Sequence, residues 1–256
     1  MALTVLTIKT ERWDSVFDLY RVIVESIKKN DLVLQDGDVL VISSKFVSNS
    51  QGRIIDINNV NPSKNGIKIS EKFQIQPQVS EVILRESDFI FGGIAGFVIT
   101  SADNIMAPNA GIDKSNAKKG RVILYPNNPY KIAEELRRKI FLEMWIHVGV
   151  IIVDSRLMPA RVGTTGVAIS CAGIEPVNDM RAQKDLDGNP LKVTFQAVVD
   201  NLASIANHQM GEGSESKPIA IVRNSNAKLT DRKIDPNEVA ISHDQCVYVR
   251  GLRNSN

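Results

Sequence analysis

Apolar and polar positions alternate from Leu3 to Ile8, among Val, Ile and Thr, and this predicts a strand. Val16, Phe17, Leu19, Tyr20, Ile23, Val24 and Ile27 then recur at helical spacing. They predict a helix capped by Asp14 or Ser15, with Lys28 and Lys29 where the helix dipole favours cations. Asp36-Gly37 reads as a turn and Val39 to Ile42 as a short buried strand. The stretch Ser43 to Arg53 is polar, rich in hydroxyls and partly basic, so it reads as a loop, either contacting an anion or simply solvated. Asn58 to Ile67, with Asn61-Pro62, reads as surface loop, and Val79 to Arg85 as a short helix helped by Pro77. Gly92, Gly93 and Gly96 within Phe89 to Phe97 predict a bend or a close approach of another backbone.

A long helical pattern starts at Asn127, Asn128 and Pro129 and runs through Met144. Ile132, Leu136, Ile140 and Phe141 form its apolar stripe, and Glu134, Glu135, Arg137 and Arg138 are expected outside. Val148 to Val153 is apolar throughout, as in a strand buried on both faces. Thr164-Thr165-Gly166 leads into a further strand, Val167 to Ile169. Asp185 to Gly188 predicts a turn, with a strand or helix opening at Leu191, and Phe195 to Ala206 predicts a helix. The two glycines of Met210-Gly211-Glu212-Gly213 stop that helix. Pro218 to Val222 and Val247 to Val249 read as strands. Strands and helices interleave, with crossovers too uneven for a doubly wound sheet.

Composition narrows the class of protein. With 256 residues, 43% hydrophobic and 23% charged, the chain suits one large globular domain or two small ones. A formal charge of +2 offers no electrostatic case for nucleic acid or an anionic membrane. Cys171 and Cys246 lack paired spacing, which speaks against a disulfide framework and for a reducing, cytoplasmic setting. The start lacks a basic segment ahead of its short apolar run, and no run nears the roughly 20 residues that span a bilayer, so a soluble, intracellular protein is expected.

The candidate chemistry gathers around Asn109 to Asn116, a loop of small polar residues carrying Asp113. Asp154 ends the apolar run before it and is followed by Ser155 and Arg156. Asp113, Asp154, Ser155 and Glu212 supply the hard oxygen donors that magnesium and manganese prefer, and the same residue types also cap helices. Arg53, Arg156, Arg161, Arg181 and Lys184 could bind phosphate or carboxylate oxygens, or form surface ion pairs. Neither a Gly-x-x-x-x-Gly-Lys-Ser/Thr loop nor a convincing Gly-x-Gly-x-x-Gly is present. His147, His208 and His243 lack ligand or triad spacing, and Cys171 reads as a small buried hydrophobe. On the residues alone, the reading stops at a metal-dependent enzyme acting on a phosphorylated, anionic ligand.

Several blocks occur in the order seen in one known family. They are Asn109-Ala-Gly-Ile-Asp113-x-Ser-Asn116, Asp154-Ser155 with Arg161 and Gly163, Lys184-Asp185-Leu186-x-Gly188, and Met210-Gly-Glu-Gly213 followed by Pro218. Over nearly its whole length the chain resembles the coenzyme F-420-0 gamma-glutamyl ligases. The resemblance implies a single unit over residues 1–256, with room for two subdomains, a mixed α+β fold and an intertwined homodimer. It implies GTP-dependent addition of L-glutamate to the deazaflavin precursor F-420-0, with manganese or magnesium and potassium as a further candidate ion. By that resemblance Asp113, Asp154, Ser155 and Glu212 would be metal ligands, with Asp113 and Asp154 at the reaction centre. Ser44, Lys45, Asn116, Gly211 and Gly213 would face the nucleotide. Asn49, Gln51, Leu157 and Met158 depart from the family pattern. They leave open a non-catalytic relative that binds a phosphorylated ligand, or a ligase for another amino acid or acceptor.

Overall fold

The computed structural model describes residues 1–13, 15–102, 105–115 and 117–253. In chain order its elements are β1 (Thr4–Ile8), α1 (Leu19–Lys29), β2 (Val39–Ser43), α2 (Ser44–Ser50), β3 (Ile54–Asp56), α3 (Lys64–Phe73) and α4 (Pro77–Glu86). Then follow β4 (Phe89–Ile94), β5 (Phe97–Ala102), β6 (Ile105–Pro108), β7 (Arg121–Ile123), α5 (Pro129–Met144), β8 (Gly149–Leu157) and β9 (Thr164–Ala172). The chain continues with β10 (Val177–Asp179), β11 (Phe195–Ala197), α6 (Val198–Met210), β12 (Ile219–Arg223) and α7 (Val247–Arg253). The fold is mixed α+β, as expected from the sequence.

A five-stranded sheet in the order β1-β12-β2-β8-β9 organises the chain. Its single parallel pair is β2 with β8, in register Val39 to Gly149 through Ser43 to Val153, so both strands end on the same edge. Leu40, Ile42, Val150, Ile152, Ile219 and Ile221 point to one face, where they pack with Ile23 of α1, Val47 of α2 and Leu136 and Ile140 of α5. Val39, Val41, Ile151, Val153, Ala220 and Val222 point to the other, against Val199, Leu202, Ala203 and Ala206 of α6. Burial on both faces is why these strands read as unbroken apolar runs. Gly166 lets α6 lie close on β9: a Cβ there would stand 2.5 Å from Asn207 Cβ and 2.7 Å from the Ala203 carbonyl oxygen.

A separate core joins Phe73, Val79, Val82, Ile83, Val98, Ala110, Val122 and Leu124. It lies among α3, α4, the pair β3–β7 and the sheet β4-β5-β6. Here β4 turns back on β5 at Gly96, with a register shift between Ile90 and Gly92, so the glycine-rich stretch bends as expected. A Cβ on Gly93 would sit 2.2 Å from the Phe97 carbonyl oxygen, which is the close backbone approach.

Several expectations need correction. The first helix starts at Leu19, capped by Asp18, whose carboxylate accepts from the Arg21 N–H at 2.9 Å. Ser15 lies outside that helix and Asp14 outside the described residues. Phe17 is used earlier, stacking with Trp13 and Phe46 as the chain approaches. Ser43 to Arg53 is mostly helix, α2, because Phe46 and Val47 anchor it on the sheet while Ser44, Ser48 and Ser50 are small enough to be buried beside them. Asn58 to Ile67 already contains the start of α3, capped by Ser63. Arg137 is buried at 8% exposure, because its guanidinium pairs with Glu134 at 2.9 Å and Asp231 at 3.1 Å. The strand expected to end at Val153 continues to Leu157, and the next begins at Thr164, because the two pair antiparallel beyond their apolar centres. Phe195 to Ala197 is a strand ahead of the helix, paired with β10, and Leu191 opens neither element. Val247 to Val249 is helical.

Candidate functional site

A cleft of about 750 Å³ opens where β2 ends beside β8, which runs on past it to Leu157. Its lining includes Ser44 and Lys45 of α2, Asp113 and Ser115, Asp154 to Leu157, and Asn207 to Pro218 around the end of α6.

Alternation along β8 divides its last residues between the two faces of the sheet. Asp154 and Arg156 continue the face of Val150 and Ile152, towards α2, whereas Ser155 continues the face of Ile151 and Val153, towards α6. The register shift against β9 between Ile152 and Val153 leaves the extra residue, Ile169, on β9, so the alternation of β8 runs on through Arg156. Consecutive residues of one strand therefore serve opposite walls of the cleft.

On the first wall, Ser44 donates its Oγ hydrogen to Asp154 Oδ1 at 2.5 Å. Arg156 Nε lies 2.8 Å from Asp154 Oδ2. On the second, Ser155 donates to Glu212 Oε1 at 2.5 Å, and Asn207 Nδ2 donates to the same oxygen at 2.7 Å. Gly211, at φ +81°, ends α6 and turns the chain so that Glu212 faces β8. Gly213 donates its N–H to Glu215 Oε2 at 2.8 Å.

Asp113 reaches the cleft from a different part of the chain. Asn109, Ala110 and Gly111 all take positive φ, a tight turn held to β5 by the Thr100 hydroxyl, which accepts from the Ala110 N–H at 2.9 Å. Asn109 Oδ1 adds a bond from the Val98 N–H at 2.9 Å. The Asp113 backbone is then fixed by two bonds to Ile123, its N–H donating at 2.9 Å and its carbonyl accepting at 2.8 Å. Its carboxylate accepts from the Ser115 N–H at 2.5 Å and pairs with Lys45 Nζ at 2.6 Å. Burial works to raise the Asp113 carboxyl, but the hydrogen bond and charge of Lys45, with Ser115, outweigh it and hold the group below the usual carboxylate range.

The fold thus brings Ser44, Lys45, Asp113, Asp154, Ser155, Gly211, Glu212 and Gly213 to one cleft. Asn116 lies outside the described residues. Neither Asp113 nor Asp154 caps a helix: Asp113 closes a turn onto Ser115, and Asp154 lies within β8. Arg53 instead braces the interior, pairing with Glu86 and donating to the Tyr125 carbonyl. Arg161 is exposed in the β8–β9 connection, Lys184 is exposed, and Arg181 pairs with Asp179 at 2.6 Å on the exposed β10–β11 arm. Cys171 is buried as expected; burial first, then nearby carboxylates, pushes its thiol up to about 12.

One contributor to the cleft, Asn207, escaped the sequence, being an unremarkable polar residue in a helical pattern. Gln51, a departure from the family pattern, does not line the cleft; its amide brackets Asn127, donating to the carbonyl at 3.0 Å and accepting from the N–H at 2.9 Å. A glutamate could not make both bonds.

Among the described residues no three His, Cys, Asp or Glu side chains form a metal-binding group. The cleft offers carboxylates from two directions and a serine hydroxyl, a hard oxygen set that suits magnesium or manganese completed by water or phosphate oxygens. Arg12, Lys45, Lys118, Arg121 and Lys217 line the same cleft, so cationic side chains surround the carboxylates.

Fold and site together define an α+β protein whose acidic and basic cleft lies where the parallel pairing of β2 with β8 ends. The chain belongs to the family described as F420-0:Gamma-glutamyl ligase, whose model matches residues 7–224. It is 38% identical over 213 residues to a coenzyme F420:L-glutamate ligase of Methanopyrus kandleri, covering 83% of this chain and 82% of the relative. The like-named protein of Methanocaldococcus jannaschii is 39% identical over 214 residues, 82% and 86% of the two chains. That of Archaeoglobus fulgidus is 35% identical over 192 residues, 75% and 77%.

Proposed function

We propose that this chain is a GTP- and divalent-metal-dependent ligase that joins L-glutamate to coenzyme F-420-0. The observation that carries the reading is the convergence of Asp113, Asp154, Ser155 and Glu212 in one cleft of a chain belonging to this family. In the proposed reaction the acceptor carboxylate attacks the terminal phosphate of GTP, giving an acyl phosphate and GDP. The amine of glutamate then attacks the acyl carbon, phosphate leaves, and an amide forms. No protein nucleophile is required, so the burial of Cys171 is no obstacle.

Each residue has a part in this scheme. Asp113, Asp154, Ser155 and Glu212 would hold manganese or magnesium, with potassium a further candidate ion. Bound there, the cation would neutralise phosphate charge and hold the reactants in line, the main source of rate in phosphoryl transfer. Lys45 and the cationic lining would draw in and orient the phosphates, as would Ser44, Gly211, Gly213 and Asn116. Second Asp113 contacts from Ser115 keep that carboxylate aimed while the ligand arrives.

The reading also includes a cytoplasmic homodimer. Phe97, Ile99 and Ile94 leave one side of the β4–β6 sheet exposed and apolar, and Leu186, Val193 and Phe195 are exposed on the β10–β11 arm. Packing of these side chains against a second copy would remove them from water, which supports the dimer reading. No helix of the described residues is long and apolar enough to cross a membrane.

Purified protein with F-420-0, L-glutamate, GTP and manganese, analysed by mass spectrometry, tests the function. A gain of one or more glutamyl units with GDP release is expected, and is lost with a chelator. A second reading, a relative that binds a phosphorylated ligand without turnover, is favoured by Asn49 and Leu157, which depart from the family pattern and line the cleft. Nucleotide binding with no product across several acceptors and amino acids would establish that reading instead.

A further inference from the structure

Arg156 is 3% exposed, yet Nε, Nη1 and Nη2 are buried without a hydrogen-bond partner. Its Nε approaches Asp154 Oδ2 to 2.8 Å, but off the N–H direction. The guanidinium lies near the Tyr125 ring, 5.6 Å from its centre, and against Gly111, where a Cβ would stand 3.4 Å from Nη2. Arg223 shows what a satisfied pair looks like in this protein. Arg223 grips Asp38 with Nε to Oδ1 at 2.8 Å and Nη2 to Oδ2 at 2.7 Å, the bidentate form that makes such pairs strong. Arg156 has charge contact with its carboxylate but no such fork. A buried cation with unmet N–H groups is costly, and as a purely structural element it would be outperformed by an apolar side chain.

The remaining oxygen of Asp154, Oδ1, is taken by Ser44. Ser44 can rotate its hydroxyl hydrogen away and leave the carboxylate free; Arg156 cannot shed its charge. We infer that Arg156 is a built-in competitor for Asp154, a residue that sets the cleft's affinity for a divalent cation by occupying one side of the carboxylate such a cation would use. This rests on the proposed assignment of Asp154 to the cation. Binding then requires the guanidinium to withdraw from Oδ2 or to share the carboxylate. The loose geometry of the pair permits that, where a bidentate grip like that of Arg223 would resist it.

The test is manganese binding to the full chain, by calorimetry and by the paramagnetic resonance of free manganese, in wild type, Arg156→Gln, Arg156→Met and Arg156→Lys. Removing a unit charge this close to a cation ligand is expected to tighten binding by about tenfold or more in the Gln and Met forms. Arg156→Lys, which keeps the charge, is expected to stay within about threefold of wild type. The Met form fits the buried slot without a polar group, so it remains informative if the Gln form does not fold. Unchanged or weaker binding in the folded neutral variants would overturn the inference alone. Absence of manganese binding in every form would overturn the cation assignment and this inference with it.

Discussion

Ser44 and Lys45 stand side by side in the first turn of α2 and hold different carboxylates, Ser44 at 2.5 Å from Asp154 and Lys45 at 2.6 Å from Asp113. One short helix thereby fixes the relative placement of two acids that come from separate sheets. Its own placement follows from β2, whose end it continues without a break. The cleft is thus assembled around the end of the parallel pair rather than along any one segment.

Because Ser44 orients Asp154, Ser44→Ala should lower metal-dependent turnover or metal affinity by about 10–100-fold while the melting temperature stays nearly constant. Asp113→Asn should reduce turnover further, with the circular dichroism of the native chain preserved. Turnover equal to wild type in Asp113→Asn would remove that residue from the site.

Asn207 donates to Glu212 at 2.7 Å and to Ser155 at 3.3 Å, so it holds the second wall together. Asn207→Ala should cost about 10–100-fold in the same assay. The manganese titration should shift to higher concentration, with little change in overall stability.

Gly166→Ala would drive a methyl group into Asn207 and the Ala203 carbonyl. Forcing α6 away from β9 should destabilise the protein by about 1–3 kcal/mol, read in denaturant melts. Activity should fall too, since α6 carries Asn207 and leads into Glu212.

Glu81 accepts from both the Ser63 hydroxyl, at 2.6 Å, and the Ser63 N–H, at 2.9 Å, and from Arg85 at 2.9 Å. The Ser63 bonds first, then Arg85, hold its carboxyl below the ordinary value of 4.5. A carboxyl lowered by folding stabilises the native state above its unfolded pKa, and the contribution is lost as pH falls through the folded value. Glu81→Gln should therefore be less stable than wild type at pH 7. The gap should close as pH drops below about 4.5, measured by melts across that range.

Cys171 should resist a thiol reagent in the native protein, being 1% exposed with its thiol pushed up to about 12. Cys246, which is partly exposed, should react first. Full reaction of Cys171 should need denaturant, and rapid native labelling of both thiols would contradict the packing around β9.

Much of the framework was legible from periodicity. The core strands β2, β8 and β12 and the helix α5 follow local patterns that need no knowledge of distant partners. Where a segment gains its stability from contacts elsewhere, the local pattern misled. The hydroxyl-rich stretch after β2 looked like loop because serines favour turns, but two apolar anchors on a sheet were enough to make it a helix. Arg137 looked external because arginine usually is, and Asp231, far along the chain, helps to bury it.

The sequence by itself determined the buried apolar runs that become β2 and β8, the glycine that ends α6 before Glu212, and the ordered blocks that mark the family. Those properties depend on neighbouring residues, and a strand or a helix stop is written in them. Only the tertiary structure decided that Lys45 meets Asp113, that Asn207 joins Ser155 to Glu212, and that Arg156 rests on Asp154 without a full set of hydrogen bonds. Such contacts arise where separate elements converge. Their geometry is set by the register of the sheet and by how closely the helices pack, neither of which a local stretch of sequence specifies.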